Sequence, residues 1–255
     1  MKQIVDIFGS TLASTVRSWR GLSASKRVVQ PEQALILFDR EGSAECRIVR
    51  EVLTELNLDV TIAPCPLGGN NLNVLKQESG SNVVPTLFDS NTDESRSGAE
   101  DIVAYLFKQY IDSEPSKKPL GSFINKSSAN LASLIRLNAG INAKPALSVE
   151  KPLTLYSFES SPYSRPVREL LCELELPYKL INLGKQQWSD MGPAKARFSL
   201  GPYRPIKNTK RDEFFKAHGN VQVPFLVDPN TEVELFESKD ILEYLRKTYQ
   251  LESSA

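Results

Sequence analysis

The sequence predicts an α/β fold in which one βαβ-ββα unit is used twice, and three observations predict it. A β-branched and aromatic run at residues 153–157 ends in a short polar turn, which opens into the apolar-periodic segment Val167, Leu170, Leu171 and Leu174; this is the pattern of strand, turn and amphipathic helix. The same pattern stands at residues 35–56 and lies on the first without a gap: Phe38 on Tyr156, Glu41 on Glu159, Ser43 on Ser161, Cys46 on Ser164, Arg47 on Arg165 and Arg50 on Arg168. Each copy then reaches a Val-Pro pair, Val84-Pro85 or Val223-Pro224, and closes with a helix carrying Asp101-Ile102 and Tyr105-Leu106 or Asp240-Ile241 and Tyr244-Leu245.

In chain order, residues 1–32 read as an N-terminal helix and a linker. Ile4, Ile7, Phe8, Leu12, Val16 and Trp19 recur at helical spacing and Gly21 follows, predicting a helix packed on the first unit or at the junction of the two. Asp6 and the shortage of basic residues in its first turn argue against a membrane-surface or organelle-targeting helix. Residues 33–110 form the first unit, whose Leu67-Gly68-Gly69-Asn70 stretch is a plain turn because it lacks the lysine of a phosphate loop. Residues 111–150, rich in Ser, Lys, Pro and Asn, form a connector with one helix marked by Leu131, Leu134, Ile135 and Leu137 and ended by Gly140.

Residues 151–250 form the second unit. Proline is excluded from a central strand, so Pro224 should begin one, with Val223-Pro224 a cis bond turning the backbone towards the helix start. An insertion at residues 184–220 separates the second strand from this pair and reads as a solvated excursion with a helix at 212–218. Its basic and aromatic residues suit an anionic ligand reached by Arg204 or Arg211, while Asp190, Asp212 and Glu213 dilute the charge below that of a nucleic-acid surface.

Bulk composition narrows the class. The 255 residues suffice for two ordinary domains, and 31 basic residues balance 31 acidic ones, so nothing calls for nucleic acid or an anionic membrane. No apolar run approaches the ~20 residues of a transmembrane helix. Cys46, Cys65 and Cys172 make no CxxC pair or metal spacing, and His218 is the single histidine, which leaves a zinc site, a Cys-His couple and a Ser-His-Asp triad without support. An odd, small cysteine count without a secretory segment points to a reducing compartment, read as the cytoplasm.

The chemistry-bearing residues gather in the second unit. Ser161-Pro162-Tyr163-Ser164 opens a helix, where free N–H groups and the macrodipole favour an anion or thiolate; Val223-Pro224 and Glu237-Ser238 follow. On these three marks the unit resembles the thioredoxin-like domain of glutaredoxins, which carry Cys-Pro-Tyr-Cys at the turn, and the N-terminal domain of glutathione transferases. With both copies counted, the chain is similar to tandem glutathione-transferase N-terminal-domain proteins of plastids and bacteria.

The resemblance implies glutathione as cofactor. Glu237 and Ser238 would meet the γ-glutamyl group, the Val223 backbone beside Pro224 would pair with the cysteinyl part, and Tyr163 would border the site. Ser161 or Ser164 would donate a hydrogen bond to the thiolate. The first unit looks degenerate, with Ser43-Ala44-Glu45-Cys46 at the turn and Gly98-Ala99 in place of Glu237-Ser238. Cys46 is either a small residue packed in the first helical turn or a reactive thiol tuned by the helix dipole. Cys172 lies on the apolar side of its helix and reads as core.

The all-helical domain that completes an ordinary glutathione transferase is not expected, nor is its pocket for an electrophile. Two functions follow: a glutathione-binding protein with transferase or thiol chemistry in the second unit, acting on an unknown electrophile or protein partner, or a catalytically silent thioredoxin-like interaction scaffold.

Overall fold

The computed structural model describes residues 2–24, 30–111, 139–199 and 201–252, with Ala129, Leu131 and Arg136 between them. The first unit comprises β1 (Leu35–Asp39), α2 (Ala44–Glu55), β2 (Val60–Pro64), α3 (Asn71–Ser79), β3 (Thr86–Asp89), β4 (Glu94–Ser97) and α4 (Ala99–Tyr110), preceded by α1 (Lys2–Val16). The second comprises β5 (Leu153–Ser157), α5 (Arg165–Glu173), β6 (Tyr178–Asn182), α6 (Lys210–His218), β7 (Phe225–Asp228), β8 (Val233–Phe236) and α7 (Ser238–Tyr249). Both are thioredoxin-like, and the α/β class read from the sequence holds. Of the connector helix, Ala129 and Leu131 are helical; Leu134, Ile135 and Leu137 lie outside the described residues.

The units share one eight-stranded sheet in the order β4-β3-β1-β2-β6-β5-β7-β8. Within each unit the first two strands are parallel and the third and fourth antiparallel, and the join is the antiparallel pair β2–β6, with Val60 opposite Leu180 and Ile62 opposite Tyr178. The junction is therefore a local two-fold axis, and one apolar core runs across it from Leu35, Leu37 and Ile62 to Leu153, Leu155 and Tyr178.

Local chemistry repeats with the topology. Ser43 caps α2 by accepting from the Cys46 N–H at 3.4 Å, and Ser161 accepts from the Ser164 N–H at 3.2 Å. Asp89 at the end of β3 accepts from Tyr105 at 2.7 Å and from Tyr110; Asp228 at the end of β7 accepts from Tyr244 at 2.7 Å and from Tyr249. The Val84–Pro85 and Val223–Pro224 peptide bonds are both cis, and Pro224 stands immediately before β7.

The segments preceding the units are shared across the junction. Gly21 accepts from Ser160 N and Gly140 from Gly42 N, each at 3.2 Å. Both glycines have left-handed backbones, φ 69° and 75°, and a Cβ would stand 2.8 Å from Glu159 Cβ at the first and 2.9 Å from Glu41 Cβ at the second, so only glycine fits.

α1 departs from the sequence expectation in the face that it buries. Ser10, Ala13, Ser14 and Arg17 are buried, whereas Phe8 is 70% and Leu12 44% exposed. Close approach is the reason: Ser14 Oγ donates to Ser160 O at 2.9 Å and accepts from Arg165 Nη2 at 3.2 Å, distances that a large apolar side chain would prevent. Arg17 pairs with Glu51 of α2, and Arg136 pairs with Glu169 of α5.

Candidate functional site

A cavity of about 800 Å³ lies against the second unit at the start of α5. Its floor is the turn between β5 and α5, where Ser161, Pro162 and Tyr163 reach it; Val223 and Pro224 form one side, and Glu237 stands at the end of β8. Five of these, Ser161, Tyr163, Val223, Pro224 and Glu237, are candidate site residues that the sequence singles out. Ser238, the first residue of α7, is buried beside them.

The serine pair divides its roles. Ser161 Oγ accepts from both Ser164 N, at 3.2 Å, and Ser164 Oγ, at 2.9 Å. With its lone pairs engaged, the hydrogen of Ser161 is the one left to donate towards the cavity. Ser164 is fully buried behind it and is not part of the cavity wall.

Cys46, the equivalent of Ser164 in the first unit, is fully buried, and its Sγ accepts from Arg40 N at 3.4 Å. Burial, reinforced by the charge of Asp39, pushes its thiol well above the ordinary cysteine range. This is the setting of a packed small residue. Burial also pushes the Cys65 thiol up to about 12 and holds that of Cys172 well above the ordinary cysteine value, and all three cysteines are free.

Glu237 has φ 64° and ψ 121°, a backbone region that belongs almost exclusively to glycine and costs another residue about 1–3 kcal/mol. Its first-unit equivalent is Gly98, with φ 86° and ψ 146°. The strained carboxylate borders the cavity and accepts from Gln222 Nε2 at 2.9 Å and from the exposed Lys195 Nζ at 3.3 Å.

The insertion supplies the opposite wall, contrary to its reading as a solvated excursion. Where the first unit passes from β2 to α3 by residues 65–70, the second takes residues 183–209 between β6 and α6. Asp190 organises the excursion, accepting from Gln186 N at 2.9 Å and Tyr203 at 2.7 Å beside Arg211 Nε at 3.4 Å. Burial raises its carboxyl, but Arg211 and these hydrogen bonds more than offset that and hold it below the usual range. Trp188 and Phe198, 72% and 57% exposed, pair at 5.7 Å between ring centroids and line the mouth with Met191. Trp19 and Thr11 close the α1 side.

The cavity is cationic at depth. Lys185, Arg197 and Arg211 line it. Lys185 is 9% exposed, its Nζ donates to Gly192 O at 2.8 Å and it lies over the Phe158 ring. Burial, and then the charges of Arg211 and Arg197, bring its ammonium down to about 8. Of the two arginines that the sequence offered for an anion, Arg211 belongs to the wall, whereas the guanidinium of Arg204 lies over the Phe215 ring. Trp188 is among the aromatics that the sequence marks in the insertion, whereas Lys185 belongs to no motif; its one signal is its position just after a buried strand end.

No helix among the described residues is long and apolar enough to cross a membrane. Residues 37–114 and 155–253 each match the glutathione S-transferase N-terminal domain family. The glutathione S-transferase-like protein tpcF of Aspergillus fumigatus is 28% identical over 99 residues, 39% of this chain and 34% of its own length. The glutathione S-transferase-like protein OpS6 of Beauveria bassiana is 28% identical over 99 residues, 39% of this chain and 36% of its own length. The match thus spans about a third of each relative. No solved structure matches the chain.

Proposed function

The chain belongs to the glutathione S-transferase family through an N-terminal-type domain present twice, and from that premise we propose that its second unit binds glutathione beside Ser161 and activates the thiol towards an apolar electrophile. The observation that carries this reading is Glu237, a charged residue kept at a glycine-type backbone position and turned to the cavity, where the first unit has Gly98. Strain of this kind persists where the surrounding structure and a function retain it.

In this reading Glu237 and Ser238 receive the γ-glutamyl end, the ligand's ammonium displacing Lys195 from the carboxylate. The Val223 backbone pairs with the cysteinyl residue, as a strand edge pairs with an extended peptide. Ser161 donates its free hydrogen to the sulfur, favouring the thiolate over the thiol. Lys185 supplies a cation for the glycyl carboxylate, and Tyr163, Trp188, Phe198 and Met191 offer an apolar surface to the electrophile. Serine forms no disulfide, so the reaction is transfer from an activated sulfur and not exchange between thiols. Three buried free thiols suit the cytoplasm, where reduced glutathione is abundant.

Calorimetric titration of reduced glutathione into the intact protein tests the reading. Saturable heat that disappears in the Glu237→Ala, Ser238→Ala double variant is the expected result. No heat and no thermal shift at millimolar glutathione would sink it and leave a silent interaction module.

A further inference from the structure

At the two-fold junction, Asp39, Glu41 and Glu159 meet Arg47, Arg50, Arg165 and Arg168, and all seven are at most 3% exposed. Arg50 reaches Asp39 at 2.6 Å, Glu159 at 3.0 Å and Glu41 at 3.2 Å; Arg168 reaches Glu159 at 3.0 Å and Glu41 at 3.1 Å. Each arginine thus pairs with the glutamate of its own unit and with that of the other. The next carboxylates outward, Glu51 and Glu169, are taken by Arg17 and Arg136.

Four guanidiniums against three carboxylates leave one positive charge uncompensated. Burial raises the Asp39 carboxyl to about 6 despite the nearby Arg50, so the excess grows as pH falls. An unpaired charge in such surroundings is far costlier than a paired one.

The excess has an address. Nε and Nη1 of Arg47, and Nε and Nη1 of Arg165, have no acceptor among the described residues. The two residues are equivalents in the repeat, each at the start of its helix, and each feels the field of both Glu41 and Glu159. Glu159 Oε1, itself buried without a hydrogen-bond partner among the described residues, lies 3.9 Å from Arg165 Nη2, beyond hydrogen-bond reach. Burial, and then the charge of Arg165, bring Arg47 down to about 9, the response of a cation short of a counter-charge.

We propose that the junction of the two units binds one small monovalent anion of the halide class, held by the Nε and Nη1 donors of Arg47 and Arg165. Water would satisfy the donors but leave the charge, and a divalent oxyanion would overcompensate it.

Bromide is the probe. In crystals of the unaltered protein grown in sodium bromide, an anomalous peak is expected within hydrogen-bond reach of both guanidiniums. In solution, the folded-to-unfolded ratio is expected to rise about tenfold for each tenfold increase in bromide above its dissociation constant, with gluconate at equal ionic strength giving no such rise. The Arg47→Met, Arg165→Met double variant is expected to lose the difference between bromide and gluconate. Density without anomalous signal at this position, equal stability in the two salts, or bromide found only elsewhere as an adventitious ion would each overturn the proposal.

Discussion

The first unit has Gly98 where the second has Glu237, and a six-residue passage after β2 where the second carries the excursion between β6 and α6. In the first the backbone is relaxed and the turn serine does no more than cap α2. In the second, a strained carboxylate, a turn serine with a hydrogen to give and a buried lysine converge on one cavity. The scaffold is the same: Ser43 and Ser161 accept from the same helical N–H, and Asp89 and Asp228 hold the same tyrosine pairs. What separates the candidate site from the matching region of the first unit is a strained backbone position and a longer loop, both laid on unchanged architecture.

The largest expected effect lies where the units are alike. Arg168→Met leaves Glu41 and Glu159 short of a buried partner and should cost about 3–5 kcal/mol; urea unfolding followed by far-UV circular dichroism measures it, and Arg50→Met should cost a similar amount. A transition that splits in two, one half unfolding alone, would contradict a junction shared equally. Next come the turn serines. Ser161→Ala should lower turnover with an apolar electrophile about 10²–10³-fold, as for loss of one preorganised donor to a developing anion. Ser43→Ala should leave turnover unchanged and cost about 1 kcal/mol of stability as a lost cap. Equal effects from the two would erase the functional difference between the units.

Lys185 sharpens the comparison through pH. Its ammonium is lost near pH 8 rather than at the ordinary lysine value, and a bound carboxylate favours the charged form. Glutathione affinity should therefore be level below about pH 8 and fall by up to about tenfold per pH unit above it, while Lys185→Met should bind more weakly with no such fall; calorimetry at stepped pH separates the two. The smallest effect is the most direct exchange between the units. Glu237→Gly should gain about 1 kcal/mol by releasing the backbone while abolishing glutathione binding, and Gly98→Glu should lose a similar amount with no binding gained.

The fold was readable because the repeat keeps its register through charged as well as apolar positions, down to Glu41 on Glu159 and Arg50 on Arg168. The burial of those charges was not readable: arginine on an amphipathic helix and glutamate in the turn before it ordinarily face water, and only the meeting of two units turns them inward. A further sign lies upstream of both strands. Leu12-Ala13-Ser14, Val16-Arg17 and Gly21 are echoed by Leu131-Ala132-Ser133, Ile135-Arg136 and Gly140, so the repeat extends upstream of both strands and predicts the paired glycines. In the site, Ser161, Tyr163, Val223, Pro224 and Glu237 came from motifs. The cavity's far wall came from loop length, and composition alone does not tell a wall from an excursion.

The antiparallel seam between β2 and β6 bears on how the chain is made. Domains ordinarily fold as they leave the ribosome, the N-terminal one first. Here the leading half emerges with the open edge of β2 and with Glu41 and Arg50 lacking half of their partners, which arrive only with Glu159, Arg168 and the strand that begins at Tyr178. Until then the nascent chain carries an unpaired strand edge beside unquenched charge, a template for pairing with another chain. Synthesis of the second half is what completes the first, so a translation pause between the two is a hazard for this protein and not a help.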